Sequence, residues 1–271
     1  MENGKFLASN RSMWDELAHI NARSASYDVA GFKAGAKGLH ALELGEVGDV
    51  TGKRLLHLQC HFGKDSLSWV RLGAQVTAMD FSPEAIGLAR SLSQEMNLPA
   101  RFMCCNLYDL PQQLDPAQEQ FDVVFTSYGV LTWLPDRRRW AQIAASYVKP
   151  GGFLYIAEFH PLSMILSETA FPPVVEFPYF DEGPIAWPVD GSYADRSAVL
   201  QAKTSYEWNY PLGEVVTYLV EAGLQIEYLH EWDYTVFNQF PYLLEGPDGI
   251  YHLPPGAPRL PLMFSIKANK V

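Results

Sequence analysis

Cysteine is scarce in this chain: Cys60, Cys104 and Cys105 are the 3 present, an odd number set in apolar runs with no Cys-x-x-Cys pair. A disulfide framework is therefore not expected. Long apolar runs are missing as well. No stretch approaches the roughly 18–20 residues that a membrane span needs. The first residues hold no apolar core of a secretory signal. Positive charge is outnumbered, with 20 Lys and Arg against 31 Asp and Glu and a formal net charge of −11. Such a chain repels phosphate backbones. Its tight basic run, Arg137-Arg138-Arg139, reads as a solvated helix face. Neither nucleic acid nor membrane is expected as a partner. A cytoplasmic monomer or homodimer is.

What is present is core-forming material. Apolar residues make up 48% of the 271 and charged residues only 19%, enough for one α/β domain with insertions. Residues 1–50 read as a helical cap, with Ser12 capping a helix whose Met13, Leu17 and Ile20 recur at helical spacing. A second short helix is expected near 39–44. From Arg54 the pattern alternates strand and helix: strands at 54–58, 75–79, 101–105, 121–125 and 153–158, helices at 64–72 and from Pro83 to about Met96. Ser82-Pro83-Glu84 opens that helix with a cap, a first-turn proline and an acid beside the dipole. Trp140, Ile143, Ala144 and Tyr147 mark another, and Leu212, Val215, Val216 and Leu219 one more, before strands at 225–232 and 260–267. This is the pattern of a doubly wound, mostly parallel seven-stranded sheet, Rossmann-like in form. Residues 51–159 would be its ligand-binding core. Residues 160–208, rich in proline and aromatics, would be a lid insertion, and 209–271 the closing helix and strands.

In such sheets ligands bind beyond the strand carboxyl ends. Residues 55–65 read Leu-Leu-His-Leu-Gln-Cys-His-Phe-Gly-Lys-Asp. The Gly-x-Gly-x-x-Gly of a dinucleotide site is absent, and so is a Gly-Lys-Ser/Thr phosphate loop, which argues against a dehydrogenase. Asp80, about 20 residues beyond the turn, still stands where an acid pairs with ribose hydroxyls. A nucleoside ligand without phosphates fits both facts. His57 and His61 span a strand and a turn, not one helical face, so no metal site is expected.

Here the chain resembles the class I S-adenosylmethionine-dependent methyltransferases, in particular a bacterial subgroup whose first motif reads His-Leu-Gln-Cys-His-Phe-Gly, as residues 57–63 do. Val-Thr-Ala-Met-Asp-Phe-Ser-Pro at 76–83, Cys-Asn-Leu-Tyr-Asp-Leu-Pro at 105–111, Phe-Asp-Val-Val-Phe-Thr-Ser-Tyr-Gly-Val-Leu at 121–131 and Val-Lys-Pro-Gly-Gly at 148–152 support the likeness. The resemblance implies S-adenosylmethionine as methyl donor and a small-molecule acceptor. Asp80 would hold the ribose, Asn106 the adenine amino group beside the Leu107 backbone, and Phe81 the adenine ring. Gln59, Cys60, His61 and Gly63 would wrap the methionine part with Ser127 and Tyr128, while Trp14 and Tyr27 close over the donor. The common pattern has an acid where His57 stands and glycines where Gln59 and His61 stand.

Methyl transfer needs an acceptor atom aligned with the methyl–sulfur bond, and a hydroxyl or thiol acceptor gains from a base. His160, at the mouth after the fifth strand, is the first candidate, followed by Tyr128 and Glu158. A silent binder of S-adenosylmethionine or its product is the alternative that the unusual first motif keeps open.

Overall fold

The computed structural model describes residues 2–180 and 183–271; position 1 of the cap and positions 181 and 182 of the insertion lie outside the described residues. The chain opens with helices α1 (Glu2–Arg23), α2 (Val29–Lys33) and α3 (Ala41–Val47). The alternating part follows: β1 (Arg54–Leu58), α4 (Lys64–Arg71), β2 (Gln75–Asp80), α5 (Pro83–Glu95), β3 (Arg101–Cys104), α6 (Leu110–Gln113), β4 (Phe121–Ser127), α7 (Arg137–Tyr147) and β5 (Val148–Phe159). Beyond it lie β6 (Ile185–Pro188), β7 (Thr204–Glu207), α8 (Leu212–Glu221), β8 (Gln225–Trp232), β9 (Tyr234–Thr235), β10 (Leu244–Glu245), β11 (Tyr251–His252) and β12 (Met263–Asn269).

Seven strands form the central sheet in the order β3-β2-β1-β4-β5-β12-β8. The first five run parallel, and β12 lies antiparallel between β5 and β8. The expected doubly wound sheet is therefore present. Strand order reverses at β1, so the switch point falls between β1 and β4, directly above the turn that follows β1. Both faces are buried, which is why β1 and β4 read as near-continuous apolar runs. One face packs Trp69, Ile86 and Phe102 under α4 and α5; the other packs Trp140, Tyr147 and Leu219 under α7 and α8. Burying a large side chain of this kind stabilises the fold by roughly 1.5–3 kcal/mol.

Ser12 does not cap the first helix. It lies exposed inside α1, which begins at Glu2. Tertiary contacts hold the extra turns: Asn10 Nδ2 donates to the Tyr206 carbonyl at 2.7 Å while its Oδ1 accepts the Tyr206 N–H at 2.8 Å. The insertion is also less irregular than its prolines imply. Its β6 and β7 form an antiparallel hairpin, and a small sheet β10-β11-β9 follows β8. The final strand begins at Met263, not at 260, because Pro261 offers no N–H to a ladder. No described helix is long and apolar enough to cross a membrane.

Candidate active site

The turn after β1 has a backbone made for glycine but mostly other residues in it. Gln59 (φ 56°), His61 (φ 51°) and Gly63 (φ 77°) are all left-handed, a region costing roughly 1–3 kcal/mol for a residue with a Cβ. Surrounding bonds hold it there. Cys60 N–H donates to the Met79 carbonyl at 2.9 Å, and Gly63 N–H to the Cys60 carbonyl at 2.9 Å. Gln59 Nε2 donates to the Val130 carbonyl at 3.1 Å, tying the turn to the segment after β4. At Gly63 itself an added Cβ would lie 2.7 Å from Phe102 and 2.9 Å from the Ala89 methyl, so only glycine fits.

Asp80 ends β2 beside this turn, almost fully buried. Its Oδ2 accepts the His61 N–H at 2.8 Å and its Oδ1 the Ser82 N–H at 3.0 Å. Burial pushes its carboxyl up to about 6, against the pull of those N–H groups. Each oxygen keeps a further lone pair for a ligand hydroxyl. Two buried polar atoms in the turn, Gln59 Oε1 and His61 Nε2, find no partner among the described residues. Burial holds His61 neutral, its pKa lowered to about 3. His57 is a satisfied core histidine, Nδ1 on Ser66 Oγ at 2.8 Å.

Other expected residues gather around the same strand ends. Asp80 pairs in register with Cys104, and the Cys105 N–H donates to the Asp80 carbonyl at 3.0 Å, so Asn106 and Leu107 follow directly after the end of β3 beside β2. Asn106 Oδ1 accepts the Tyr108 N–H at 2.9 Å and so caps a short turn. Leu107 is buried in the core, as is Ser127 at the end of β4. The Cys60 thiol is pushed up by burial and contacts the His61 carbonyl at 3.6 Å. It is a packing residue. All three cysteines are free thiols. No group of three His, Cys, Asp or Glu suited to a metal occurs among the described residues.

The three candidate bases are committed elsewhere. Glu158 is fully buried, and its carboxylate accepts the N–H groups of Gly129, Val130, Leu131 and Phe159, pinning the loop after β4. That makes it a positioning residue; the expected proton-accepting role does not fit. His160 Nδ1 accepts the Leu162 N–H at 3.0 Å, which places the proton on Nε2, facing Glu231 Oε1 at 2.9 Å. Burial lowers its pKa, with Glu231 acting against that. Neither ring nitrogen is left to take a proton from an acceptor, so His160 ties the start of the insertion to β8. Tyr128 (φ 36°) donates its hydroxyl to Glu43 Oε2 at 2.8 Å, and burial raises its pKa well above the ordinary value.

Cap and insertion meet above the turn. Trp14 lies edge-on to His61 and to Trp133, both centroids at 5.3 Å, and Tyr27 packs on His61 and Phe62. Tyr193, from the insertion, bonds the Tyr27 hydroxyl at 2.5 Å, takes a bond from Asn21 Nδ2 at 2.9 Å and abuts Phe237. Glu16 accepts the N–H groups of Gln201 and Ala202, and Asn10 pairs with Tyr206 as above, so cap and insertion are zipped together. Trp14 and Tyr27 are the two aromatics expected from the sequence to close over a donor; Tyr193, Trp133 and Glu43 were not among the expected residues. Tyr193 lies in the aromatic-rich insertion, where nothing separates it from its neighbours, and Glu43 sits in an apolar helical run that reads as plain helix.

Comparison with known proteins bears on this geometry. Residues 55–152 match the family model described as a methyltransferase domain. A ubiquinone biosynthesis O-methyltransferase of Xanthomonas euvesicatoria pv. vesicatoria is 36% identical over 109 residues, covering 40% of this chain and 44% of that protein. The protein of the same name from Xanthomonas axonopodis pv. citri is 38% identical over 109 residues, covering 39% and 43%. The chain thus spans less than half the length of these curated relatives. Among solved structures, an S-adenosylmethionine dependent methyltransferase from Mesorhizobium loti superposes with a TM-score of 0.57 at 18% identity, covering 88% of this chain and 100% of that one. The glycopeptide N-methyltransferase MtfA complexed with S-adenosylmethionine gives 0.54 at 14% identity, covering 92% and 95%. These structural likenesses show a shared fold.

Proposed function

We propose that the chain is an S-adenosylmethionine-dependent methyltransferase acting on a small molecule bound beneath the cap and insertion. The observation that carries the reading is the pairing of Asp80 with the left-handed turn at 59–63. A buried carboxylate with lone pairs to spare stands at the switch point, beside two unpartnered polar atoms, Gln59 Oε1 and His61 Nε2. Those residues suit a nucleoside joined to an amino acid. The methyltransferase-domain match over 55–152 and the co-crystallised neighbour support the same donor.

Asp80 would take the ribose hydroxyls and Asn106 the adenine amino group, with Phe81 beside the ring. Gln59, His61, Gly63 and Ser127 would border the methionine part. When bound, the donor supplies an activated methyl group on a sulfonium. Trp14, Tyr27, Tyr193 and Trp133 would exclude water and hold the acceptor in line. Their ring faces also suit a cationic centre, worth roughly 0.5–2 kcal/mol per good contact. Because Glu158 and His160 are held in structural bonds, alignment carries the reaction in this account, and Tyr128 orients the site through Glu43. The O-methyltransferase name of the relatives supports an oxygen acceptor as one class.

Thermal-shift titration with S-adenosylhomocysteine and with NAD tests the donor, followed by a labelled-methyl screen of phenols and amines. Stabilisation by S-adenosylhomocysteine is expected. Stabilisation by NAD alone would sink the reading, and donor binding with no turnover on any acceptor would favour the silent binder.

A further inference from the structure

We propose that Glu43 and Asp65, flanking Tyr128, form a binding site for a primary ammonium group. For one of two sources, the donor's own amino group, the inference rests on the function proposed above. For the other, an amine acceptor, it stands without the donor.

α3 lays Glu43 against the segment after β4, where the side chain is fully buried. Its Oε2 accepts the Tyr128 hydroxyl, and the backbone N–H groups of His40 and Glu43 also draw on the carboxylate. Its Oε1 is buried without a hydrogen-bond partner among the described residues. Asp65, in the first turn of α4, is recessed but keeps part of its surface open, and its carboxylate has no side-chain hydrogen bond among the described residues. Its charge acts on Glu43, Tyr128, Tyr27 and Tyr193 alike, so it lies within electrostatic reach of both the cap carboxylate and the aromatic lid. A second orphaned atom, His61 Nε2, belongs to the ring packed on Tyr27.

The charge balance indicates what is missing. Burial, and after it the charge of Asp65, push Glu43 up to about 7, and burial pushes Asp65 up to about 6. His40, edge-on to Tyr128, is held neutral by burial and by Lys64, its pKa lowered to about 4. Lys64 offsets Asp65 but extends over the Tyr27 ring, and no cation among the described residues pairs with Glu43. Buried carboxylates are stable when paired. An ammonium group offers three donors for these open lone pairs, and the flanking tyrosine rings suit its charge. A carboxylate or phosphate ligand would meet repulsion here.

The test is calorimetry on the native protein, on Glu43→Gln and on the Glu43→Gln/Asp65→Asn double variant, with folding verified by melting. Three probes are titrated: S-adenosylhomocysteine, its analogue lacking the α-amino group, and tyramine. If the donor is the source, the native protein prefers S-adenosylhomocysteine to the desamino analogue by at least about tenfold, and the double variant loses that preference. If an acceptor is the source, that preference is small, and tyramine binds the native protein but binds at least about tenfold more weakly to the variant. Glu43→Gln alone, nearly isosteric and still able to accept the Tyr128 hydroxyl, should show part of either loss if the double variant does not fold. Should S-adenosylhomocysteine fail to bind the native protein, the donor reading falls and the tyramine arm decides this one. Equal binding of the two nucleosides together with tyramine affinity absent or unchanged by the variants overturns the proposal.

Discussion

The Asp80 carboxylate accepts the His61 backbone N–H at 2.8 Å, so the residue that ends β2 also holds the turn after β1 in its left-handed form. Removing the carboxylate therefore does two things at once. In Asp80→Ala the His61 and Ser82 N–H groups lose their acceptor, and the variant should lose about 1–3 kcal/mol of stability. Asp80→Asn keeps one carbonyl oxygen, for His61, while its NH2 cannot accept from Ser82, and it should lose less than Asp80→Ala. Denaturant melts of the pair check this; equal destabilisation would mean the bond does not hold the turn.

Glu43 ties stability to pH. Its folded pKa, about 7, lies above its ordinary 4.5. The folded state thus holds a proton that the unfolded chain has released, and the stability from this group falls as pH rises through that window. Glu43→Gln removes the buried charge. Its melting temperature relative to native should be higher at about pH 8 than at about pH 5, where native Glu43 is protonated. A gap that stays constant or narrows toward pH 8 would contradict the assignment.

Gly63→Ala should destabilise by about 2 kcal/mol or more, since a Cβ there meets Phe102 at 2.7 Å on a backbone at φ 77°. Urea unfolding measures it. A neutral outcome would show that Phe102 and Ala89 yield easily.

His160→Ala should lower the melting temperature and leave the pH–rate profile of any turnover unchanged in shape, because both ring nitrogens are bonded within the protein. A lost basic limb in that profile would restore His160 as the base.

Which parts of this were legible in the sequence follows from where the signals lie. The β1–α4–β2 unit was plain: apolar strands, a Ser82 cap that does accept the Ala85 N–H at 3.0 Å, and Asp80 where a ribose partner belongs. Those signals are local. His160 and Glu158 stand at the end of β5, and both side chains are held in hydrogen bonds within the protein. Their partners, Glu231 and the loop at 129–131, are distant in sequence or depend on backbone direction. Ser12 misled because α1 runs back past it to Glu2, with Asn10 tied to Tyr206, a contact 196 residues away. Tyr193 and Glu43 acquire meaning only when the cap, the insertion and the strand ends come together.

Calorimetric titration of S-adenosylhomocysteine into native protein and into folded Asp80→Asn tests the central claim most directly. The native protein should bind, and the variant should bind at least about tenfold more weakly, as expected for losing charged hydrogen bonds to the ribose. Native affinity should also weaken as pH falls through about 6, where Asp80 takes up a proton. No binding to the native protein, or equal affinity in the folded variant, would contradict the account.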